Sequence, residues 1–319
     1  MKEIAVTDIE NVIMGNSNNK EGATGVTVIV CPEGAPCGVD IRGGGPASRE
    51  TNLLNPMSAA DRIHAVLLSG GSAFGLDCAG GVMQYLEEND IGFDTGITKV
   101  PLVCASCIYD LRCGDYKCRP DKLMGYEATK NAFEGKPFLQ GNEGAGTGAT
   151  VGKLGGDAFT LKSGLGTYAV EIGGLKVGAV VSVNALGDVY ENGSILAGML
   201  APDGSFADST KVLYSSLEPK DNLFTANTTI GAVITNASFT KAEMNKIAAM
   251  ASNAYARAIR PVNTTADGDS LYALSTGDFK ADINVVGTLA CDVMEKAIIN
   301  AVKSAKSAYG FKAIVDLKK

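Results

Sequence analysis

Short apolar runs alternate with polar, glycine-rich turns along most of the chain, and several runs have the composition of β-strands. Residues 24–30 are rich in β-branched residues and residues 65–68 are continuously apolar, which predicts two buried strands. Residues 165–172 and 175–183 are separated only by two glycines, so they predict a β-hairpin. The remaining predicted strands cover residues 4–14, 39–42, 100–103, 229–235 and 271–275.

Apolar residues at helical spacing predict four helices in addition to the strands. The third begins at a capping box formed by Thr240 and Glu243, and it ends before Pro261, which cannot continue a helix. The chain shows no internal repeat and no low-complexity tract. The predicted helices cover residues 73–88, 122–134, 240–258 and 281–308.

Length and composition are those of an ordinary globular protein. The chain has 319 residues, of which 45% are hydrophobic and 20% charged, so it can bury a sizeable core. Its net charge of −7 argues against nucleic acid or an anionic membrane as a partner. No uncharged apolar run reaches the roughly 20 residues of a membrane helix. The first residues lack the apolar core of a signal peptide, so we expect a cytoplasmic protein.

Cysteine and histidine bear on the possible chemistry. A cytosolic chain keeps its thiols reduced, so the eight cysteines do not predict a disulfide framework. Four of them cluster in one segment, where they could hold a structural zinc or iron–sulfur site or act as small apolar fillers. The clustered cysteines are Cys104, Cys107, Cys113 and Cys118.

His64 is the only histidine, and it stands at the entry to a predicted buried strand. A Ser-His-Asp triad would have to use it, whereas its alternative role is that of a packed or capping side chain. This scarcity of histidine means that a hydrolase built from this chain would need a base other than imidazole.

The junction between Asn227 and Thr228 is the strongest candidate for chemistry. A polar segment, residues 203–226, is predicted to lie on the surface and leads directly into the strand at 229–235. If the peptide bond between them is strained, Thr228 Oγ can attack the Asn227 carbonyl, and water can complete the cut. The new α-amino group would titrate at about 7.7–8.0 and could serve as the base for the hydroxyl beside it. The alternative interpretation is a plain turn-to-strand boundary.

Glycine is abundant, with 39 residues, and three glycine-rich segments stand out. The first of them, residues 43–50, is either a simple loop or a backbone that lines a cleft. The turn from Ser69 to Ser72, between a strand and a helix, could present backbone N–H groups to an anion. Gly152-Lys153 does not complete a P-loop, because Leu154 stands where that motif requires Ser or Thr. The segments cover residues 43–50, 69–72 and 141–148.

Three polar residues could assist a nucleophile. Asn184 closes an apolar strand, where it is either a turn cap or an amide donor for a developing oxyanion. Asp267 and Asp269 flank a glycine in an acidic turn. They are either a solvated hairpin turn or carboxylates that orient the new amine and hydroxyl.

These motifs together resemble the L-aminopeptidase/D-esterase (DmpA-type) family of self-cleaving N-terminal-nucleophile hydrolases, which includes the β-peptidyl aminopeptidases. The resemblance covers nearly the whole chain. The segments that carry it are Thr24-Gly-Val-Thr-Val, Val39-Asp-Ile-Arg-Gly-Gly-Gly-Pro46, Arg49-Glu-Thr51, Leu67-Leu-Ser-Gly-Gly-Ser-Ala-Phe-Gly-Leu-Asp77, Arg119-Pro-Asp121, Gly144-Ala-Gly-Thr-Gly-Ala-Thr-Val-Gly152, Asn227-Thr-Thr-Ile-Gly231, Arg257-Ala-Ile-Arg-Pro261 and Asp267-Gly-Asp269.

The resemblance implies an α+β fold, a single-domain αββα sandwich of the type shared with ornithine acetyltransferase. It implies cleavage between Asn227 and Thr228 into chains 1–227 and 228–319, which stay associated, and assembly into a homo-oligomer. Asn184 matches the family's oxyanion-hole Asn. Asp267 and Asp269 replace the Ser and Glu of relatives, and Asp269 is the better match. Relatives are apolar where the cysteines cluster.

The activity implied is hydrolysis of the N-terminal residue from small peptides, amides or esters, with no cofactor and no catalytic metal. We place the partner of the substrate amine at Glu143, in the glycine-rich segment 141–148. Two alternatives stay open at this stage. One is an acyltransferase of the ornithine acetyltransferase type, although the Ala-Thr junction expected there is absent. The other is an uncut ligand-binding protein on the same scaffold.

Overall fold

A computed structural model describes residues 1–215, 217 and 227–317 of the chain. The strands are β1 (Lys2–Ile4), β2 (Ile13–Asn19), β3 (Thr24–Ala35), β4 (Cys37–Ile41), β5 (Ala47–Arg49), β6 (Ile63–Ser69), β7 (Phe93–Asp94), β8 (Lys99–Val100), β9 (Val103–Cys107), β10 (Thr150–Val151), β11 (Leu161–Lys162), β12 (Leu165–Ile172), β13 (Leu175–Asn184), β14 (Asp188–Glu191), β15 (Ser194–Ala197), β16 (Thr228–Ala237), β17 (Ile259–Arg260) and β18 (Ser270–Phe279). The α-helices are α1 (Cys78–Glu88), α2 (Lys122–Phe133), α3 (Ser209–Tyr214), α4 (Lys241–Ala251), α5 (Asn253–Ala258) and α6 (Ile283–Lys303).

Two large sheets organise these elements. The six-stranded sheet has the order β1-β12-β13-β16-β18-β4, and the five-stranded sheet has the order β2-β3-β6-β9-β5. Most neighbours are antiparallel, but β16 and β18 run parallel, as do β6 and β9. Parallel strands need a crossover connection, and α4 with α5 supplies it between β16 and β18.

Side chains alternate between the faces of each strand, and this alternation creates three apolar layers. On β16, Ile230, Ala232 and Ile234 face the five-stranded sheet and join Val66 and Leu68 in one buried cluster. Val233, which lies between them in sequence, joins the cluster on the opposite face, beneath helices α4 and α6. The six-stranded sheet is therefore buried on both faces.

Helices cover the outer faces of both sheets. Helices α4 and α6 pack on the six-stranded sheet, and α6 contributes much of that cluster, including Val286, Met294 and Ile298. Helices α1 and α2 cover the five-stranded sheet through residues such as Val82 and Ala128. The order helix, sheet, sheet, helix confirms the predicted αββα sandwich.

Most predicted elements are present, with some boundaries moved. The hairpin of β12 and β13 and the helices at 122–134 and 281–308 are confirmed, although α6 ends at Lys303. The single strand predicted for residues 4–14 is wrong, because a 3-10 turn at Val6–Asp8 divides β1 from β2 and Asn11 has a positive φ of 52°. The helix predicted at 73–88 begins with a 3-10 segment, Ser72–Asp77.

The helix predicted for residues 240–258 is two helices. The capping box forms as predicted. Thr240 Oγ1 accepts the backbone N–H of Glu243, and the Glu243 carboxylate accepts the backbone N–H of Thr240. The break lies at Ser252, whose hydroxyl donates to the Ala248 carbonyl. Of the predicted surface segment 203–226, the first part contains α3, whereas residues 216 and 218–226 lie outside the described residues. Among the helices that are described, none combines the length and the apolar character needed to span a bilayer.

Replacing Ile234 by alanine should lower the free energy of unfolding by about 2–5 kcal/mol, because this fully buried side chain fills the layer between the sheets. Urea unfolding in a Thr228→Ala background, in which the expected cut cannot occur, measures it on one chain. Val285→Ala is the control, since Val285 is 54% exposed on α6 and should change stability by less than about 0.5 kcal/mol. Equal losses in both variants would contradict this assignment of the core.

Candidate active site

The site forms where three strands of the six-stranded sheet meet. Strand β16 begins at Thr228, and its neighbours are β13 on one side and β18 on the other. Asn184, the last residue of β13, is the direct pairing partner of Thr228. On the other side, Asn227 forms a bridge with Asp267, just before β18. Residues that are far apart in sequence are thus brought to the Asn227–Thr228 junction by strand pairing alone.

The carbonyl group of Asn227 lies between the hydroxyl of Thr228 and a backbone donor. Thr228 Oγ1 donates a hydrogen bond to this carbonyl oxygen, and the N–H of Gly268 donates to the same oxygen at 3.0 Å. Thr228 is 5% exposed and Asn227 is 4% exposed, so water has little access to the peptide bond between them. A hydroxyl and a hydrogen-bond donor therefore meet at one buried carbonyl.

The Asp267-Gly268-Asp269 turn is buried, so the interpretation as a solvated hairpin turn is wrong. Each carboxylate is held by backbone donors. Asp269 accepts the N–H of Thr229 at 2.6 Å through Oδ1 and the N–H of Asn263 at 2.9 Å through Oδ2. Asp267 Oδ2 accepts both the N–H and the hydroxyl of Thr264, at 2.8 and 2.6 Å. Through the bond to Thr229, Asp269 fixes the backbone directly after the candidate nucleophile.

Burial changes the acidity of both carboxyl groups. It raises the pKa of Asp269 to about 7, and the nearby charge of Asp267 acts in the same direction. The pKa of Asp267 is also raised by burial, against the bonds from Thr264 and from the N–H of Leu186. Asp269 therefore keeps its proton to higher pH than an exposed aspartate does.

The first glycine-rich segment packs against this turn, backbone to backbone. The N–H groups of Arg42 and Gly43 donate to the Asp269 carbonyl, and that of Gly45 donates to the Asp267 carbonyl at 2.8 Å. A Cβ on Gly43 would lie 2.2 Å from the Asp269 nitrogen. Gly268 is equally confined, since a Cβ there would be 2.9 Å from Thr228 Oγ1. These glycines allow the turn to approach the nucleophile closely.

Lys153 joins the site through Asn184. Its Nζ donates to the Asn184 side-chain Oδ1 at 2.7 Å and to the Asn184 main-chain carbonyl at 2.9 Å. Asn184 Oδ1 also accepts the N–H of Thr150 at 3.1 Å, while Nδ2 donates to the Tyr109 carbonyl at 2.9 Å. These partners fix which way the amide points.

Lys153 brings a positive charge toward the two carboxylates. Burial of its amine lowers the pKa of Lys153 to about 7, and the charge of Lys153 in turn lowers the pKa of Asp267 and Asp269. In the sequence, this lysine stands out only as part of an incomplete P-loop motif. Its sequence setting, between Gly152 and Leu154 and two residues after the short strand β10, does not by itself place it in a site.

Glu143 lies away from this group in the contacts that the structure describes. Its carboxylate accepts a hydrogen bond from the Asn18 side chain, and Asn18 Oδ1 accepts the N–H of Gly144 and the hydroxyl of Thr147. No contact among the described residues joins Glu143 to Thr228. Its role toward a substrate amine stays a prediction.

His64 packs as a structural side chain. Its Nδ1 accepts the N–H of Leu102 at 3.1 Å, and burial together with the charge of Lys99 lowers its pKa. This places His64 on β6 in contact with the loop before β9. The interpretation as a packed histidine fits this position.

The clustered cysteines do not converge. Cys104 and Cys107 are three residues apart on β9, so their side chains point to opposite faces. Cys104 lies in the layer between the sheets, and Cys113 donates from its thiol to the Gly148 carbonyl. In the described part of the chain, the one group of three potential metal ligands is exposed and contains Cys118 with Glu21 and Asp115. The cysteines therefore behave mainly as buried thiols.

Comparison with known proteins agrees with the fold. Residues 5–315 of this chain match the sequence pattern of Peptidase family S58. An uncharacterized aminopeptidase of Mycobacterium leprae is 36% identical over 96% of this chain and 92% of its own length. A 6-aminohexanoate-oligomer endohydrolase of a Kocuria species is 30% identical over 93% of this chain and 85% of its own length.

Among solved structures, the L-aminopeptidase D-Ala-esterase/amidase of Ochrobactrum anthropi, a variant of the Ntn hydrolase fold, is similar with a TM-score of 0.67. It is 19% identical, and the match covers 94% of this chain and 86% of that one. At this identity the likeness supports the fold alone. The family match over residues 5–315 and the 36% identity to the Mycobacterium leprae aminopeptidase support the family as well as the fold. This chain therefore belongs to peptidase family S58 and is a hydrolase of the aminopeptidase type.

Proposed function

We propose that this protein is a self-processing aminopeptidase or amidase whose nucleophile is Thr228. The observation that carries the proposal is the geometry at the Asn227 carbonyl, which contacts the Thr228 hydroxyl and accepts the Gly268 N–H at 3.0 Å. On this proposal the hydroxyl acts as the nucleophile and the N–H as the oxyanion donor at one peptide bond. The chain belongs to a peptidase family, whose activity is cleavage of peptide bonds, and the bond between Asn227 and Thr228 is of that kind.

In the first step, Thr228 Oγ attacks the Asn227 carbonyl carbon and its proton passes to Asp269. The oxyanion formed is stabilised by the Gly268 N–H. The C–N bond to Thr228 then breaks as its nitrogen takes a proton, which leaves an ester between Asn227 and Thr228 Oγ. Water hydrolyses this ester and returns the hydroxyl. The step consumes one water molecule and frees the carboxylate of Asn227 and the amine of Thr228.

In the mature enzyme, the Thr228 amine takes the proton of its own hydroxyl, which attacks the acyl carbon of a substrate. The Gly268 N–H and the Asn184 amide are the donors we assign to the oxyanion. The positive charge of Lys153 and the negative charges of Asp267 and Asp269 offset one another around the ammonium group that forms on Thr228. Water then resolves the acyl-enzyme, as in the first step.

The two products of the cut would remain one folded unit. Residues 228–317 supply β16, β18 and helices α4 to α6, whereas β13 and the whole five-stranded sheet belong to the first part. Strand β16 lies between β13 and β18, so the new chains would share a sheet and two apolar layers. Each chain alone would expose a large apolar surface.

The relatives, together with the resemblance to β-peptidyl aminopeptidases, suggest three kinds of amide as test substrates. One relative is named as an aminopeptidase and another as a 6-aminohexanoate-oligomer endohydrolase. We therefore propose a panel of aminoacyl-p-nitroanilides, β-amino acid amides and 6-aminohexanoate oligomers. Transfer of an acetyl group from acetylornithine to glutamate on the same protein tests the acyltransferase alternative, and an uncut chain that only binds would represent the third hypothesis.

Thr228→Ala should leave a single chain of 319 residues and abolish hydrolysis of the panel, because both the nucleophile and the amine beside it depend on this residue and on its cut. Intact mass and N-terminal sequencing detect the two chains of the parent protein, the second of which should begin at Thr228. Thr228→Ser is the control, since it keeps a hydroxyl and should still be cut. A parent preparation that hydrolyses amides while remaining unbroken at this bond would refute the proposal.

Self-cleavage should slow below about pH 7, by about tenfold for each further pH unit, because Asp269 must be ionised to accept the proton of Thr228. The sign follows from its pKa of about 7, which burial raises. Asp269→Asn should slow the cut by roughly 10²- to 10⁴-fold at neutral pH and remove this limb of the profile. The measurement is the rate of appearance of the second chain after refolding or expression at controlled pH.

Asp292→Asn serves as the matched control, because Asp292, on α6, is an exposed carboxylate that pairs with Arg257 of α5, away from the junction. Its cleavage rate and pH profile should equal those of the parent. If Asp269→Asn is also cut at the parent rate with the same profile, the proton acceptor is another group.

A further inference from the structure

Asp110 is a buried carboxyl group for which the proposed mechanism has no use. It follows β9 and is 3% exposed. Its Oδ2 accepts the hydroxyl of Thr24 at 2.6 Å, and its Oδ1 accepts the backbone N–H of Gly71 at 2.7 Å. One carboxylate thus joins the start of β3, the turn after β6 and its own segment. The anion expected at the Ser69–Ser72 turn is a side chain of the protein itself.

Two glycines leave the space that this carboxylate occupies. A Cβ on Gly70 would lie 2.1 Å from Asp110 Oδ2 and also 2.1 Å from Thr24 Oγ1. A Cβ on Gly148 would lie 2.7 Å from Asp110 Cβ. The second and third glycine-rich segments therefore close around Asp110 from two directions, so a larger residue at either glycine would displace it.

The segment that Asp110 anchors contacts the active site through its preceding residue. The carbonyl of Tyr109 accepts the Asn184 Nδ2 at 2.9 Å, while Asn184 Oδ1 accepts Lys153 Nζ at 2.7 Å. An amide held in this way presents its oxygen to Lys153 and its nitrogen to Tyr109. A shift of the Tyr109 carbonyl would let the Asn184 amide turn and would weaken its contact with Lys153.

Asp110 and Lys153 also face a common space. They line a small cavity of about 10 Å³ together with Tyr109, Cys113 and Thr150. The charge of Lys153 lowers the pKa of Asp110, which burial raises to about 6. The charge of each group therefore acts on the other.

We propose that Asp110 is a positioning residue of this active site. It holds the Tyr109 carbonyl against the Asn184 amide, and its carboxylate faces the Lys153 amine across the small cavity. Asp110 itself does not touch the Asn227–Thr228 bond in the described contacts. The inference about catalysis rests on the proposed function, whereas the link between Asp110 and Lys153 does not.

The groups that face Lys153 set the direction of the expected effect. Asp110, Asp267 and Cys113 raise its pKa, whereas Arg112 and burial lower it. Removal of the Asp110 charge takes away one of the negative charges that favour the protonated form of Lys153. The pKa of Lys153 should therefore fall in Asp110→Asn.

The first experiment measures this pKa directly, in the uncut Thr228→Ala protein labelled with ¹³Cε-lysine. Lys153→Met identifies the Lys153 resonance by its disappearance, and the titration is then repeated with Asp110→Asn. We expect the Lys153 midpoint to move to lower pH in Asp110→Asn. Asp188→Asn is the matched control, because Asp188 is another buried carboxylate, bonded to Met199 and Ser209, and should leave the midpoint unchanged.

The second experiment measures the rate of self-cleavage. Asp110→Asn should slow it by at least about tenfold, since small misplacements of catalytic groups are costly. Thr24→Val removes only the hydroxyl that Asp110 accepts and should slow the cut in the same direction, whereas Thr24→Ser should restore the parent rate. This pair covers the case in which Asp110→Asn does not fold.

The outcomes separate this inference from the proposed function. An unbroken, inactive parent would reject the proposed function, yet the titration of Lys153 would still test the contact with Asp110. A parent that is cut, together with variants at Asp110 and Thr24 that are cut equally fast and an unmoved Lys153 midpoint, would overturn the positioning role.

Discussion

The site depends on the parallel pairing of β16 with β18. The register of this pair opposes Ile230 to Ser270 and continues to the bridge between Asn227 and Asp267. It therefore fixes the Asp267-Gly268-Asp269 turn beside the Asn227–Thr228 bond. A slip by one residue would turn every side chain of β16 to the opposite face and would also remove the Gly268 N–H from the Asn227 carbonyl. The apolar layers on both faces of β16 oppose such a slip. Burial in the core therefore keeps the Asp267-Gly268-Asp269 turn beside the Asn227 carbonyl.

Buried charge is the second constraint, and it is balanced locally. Asp267 and Asp269 are both 1% exposed, and their like charges oppose each other's ionisation. Backbone N–H groups of Thr229, Asn263 and Thr264 supply the hydrogen bonds that make the burial tolerable. Lys153 supplies a nearby positive charge. The proposed cut would add the amine of Thr228 and the carboxylate of Asn227 to this set, so the two new end groups would bring opposite charges to the junction.

The fold was largely predictable because its strands and helices have strong local patterns. The β12–β13 hairpin and the capping box at Thr240 follow from short-range rules that the structure confirms. Local patterns make Thr228, Asn184 and the Asp267–Asp269 turn candidates with open alternatives, the family resemblance favours the functional interpretation, and the structure brings them together. Lys153 and Asp110 could not be predicted, because their environment is created by segments distant in sequence. A lone lysine after glycine, or an aspartate after a strand, is compatible with an exposed loop until the tertiary contacts are known.

The glycine-rich segments show why local reasoning stops at this point. Their sequence is compatible with loops, yet all three receive parts of the protein itself. Gly43 and Gly45 pack against the Asp267–Asp269 backbone, while Gly70 and Gly148 leave the space that Asp110 occupies. Backbone that lacks side chains can approach a carboxylate or another backbone closely enough to donate N–H groups to it. In this protein, glycine therefore makes possible the burial of three carboxylates in the region of one lysine, next to the junction at which we propose the cut.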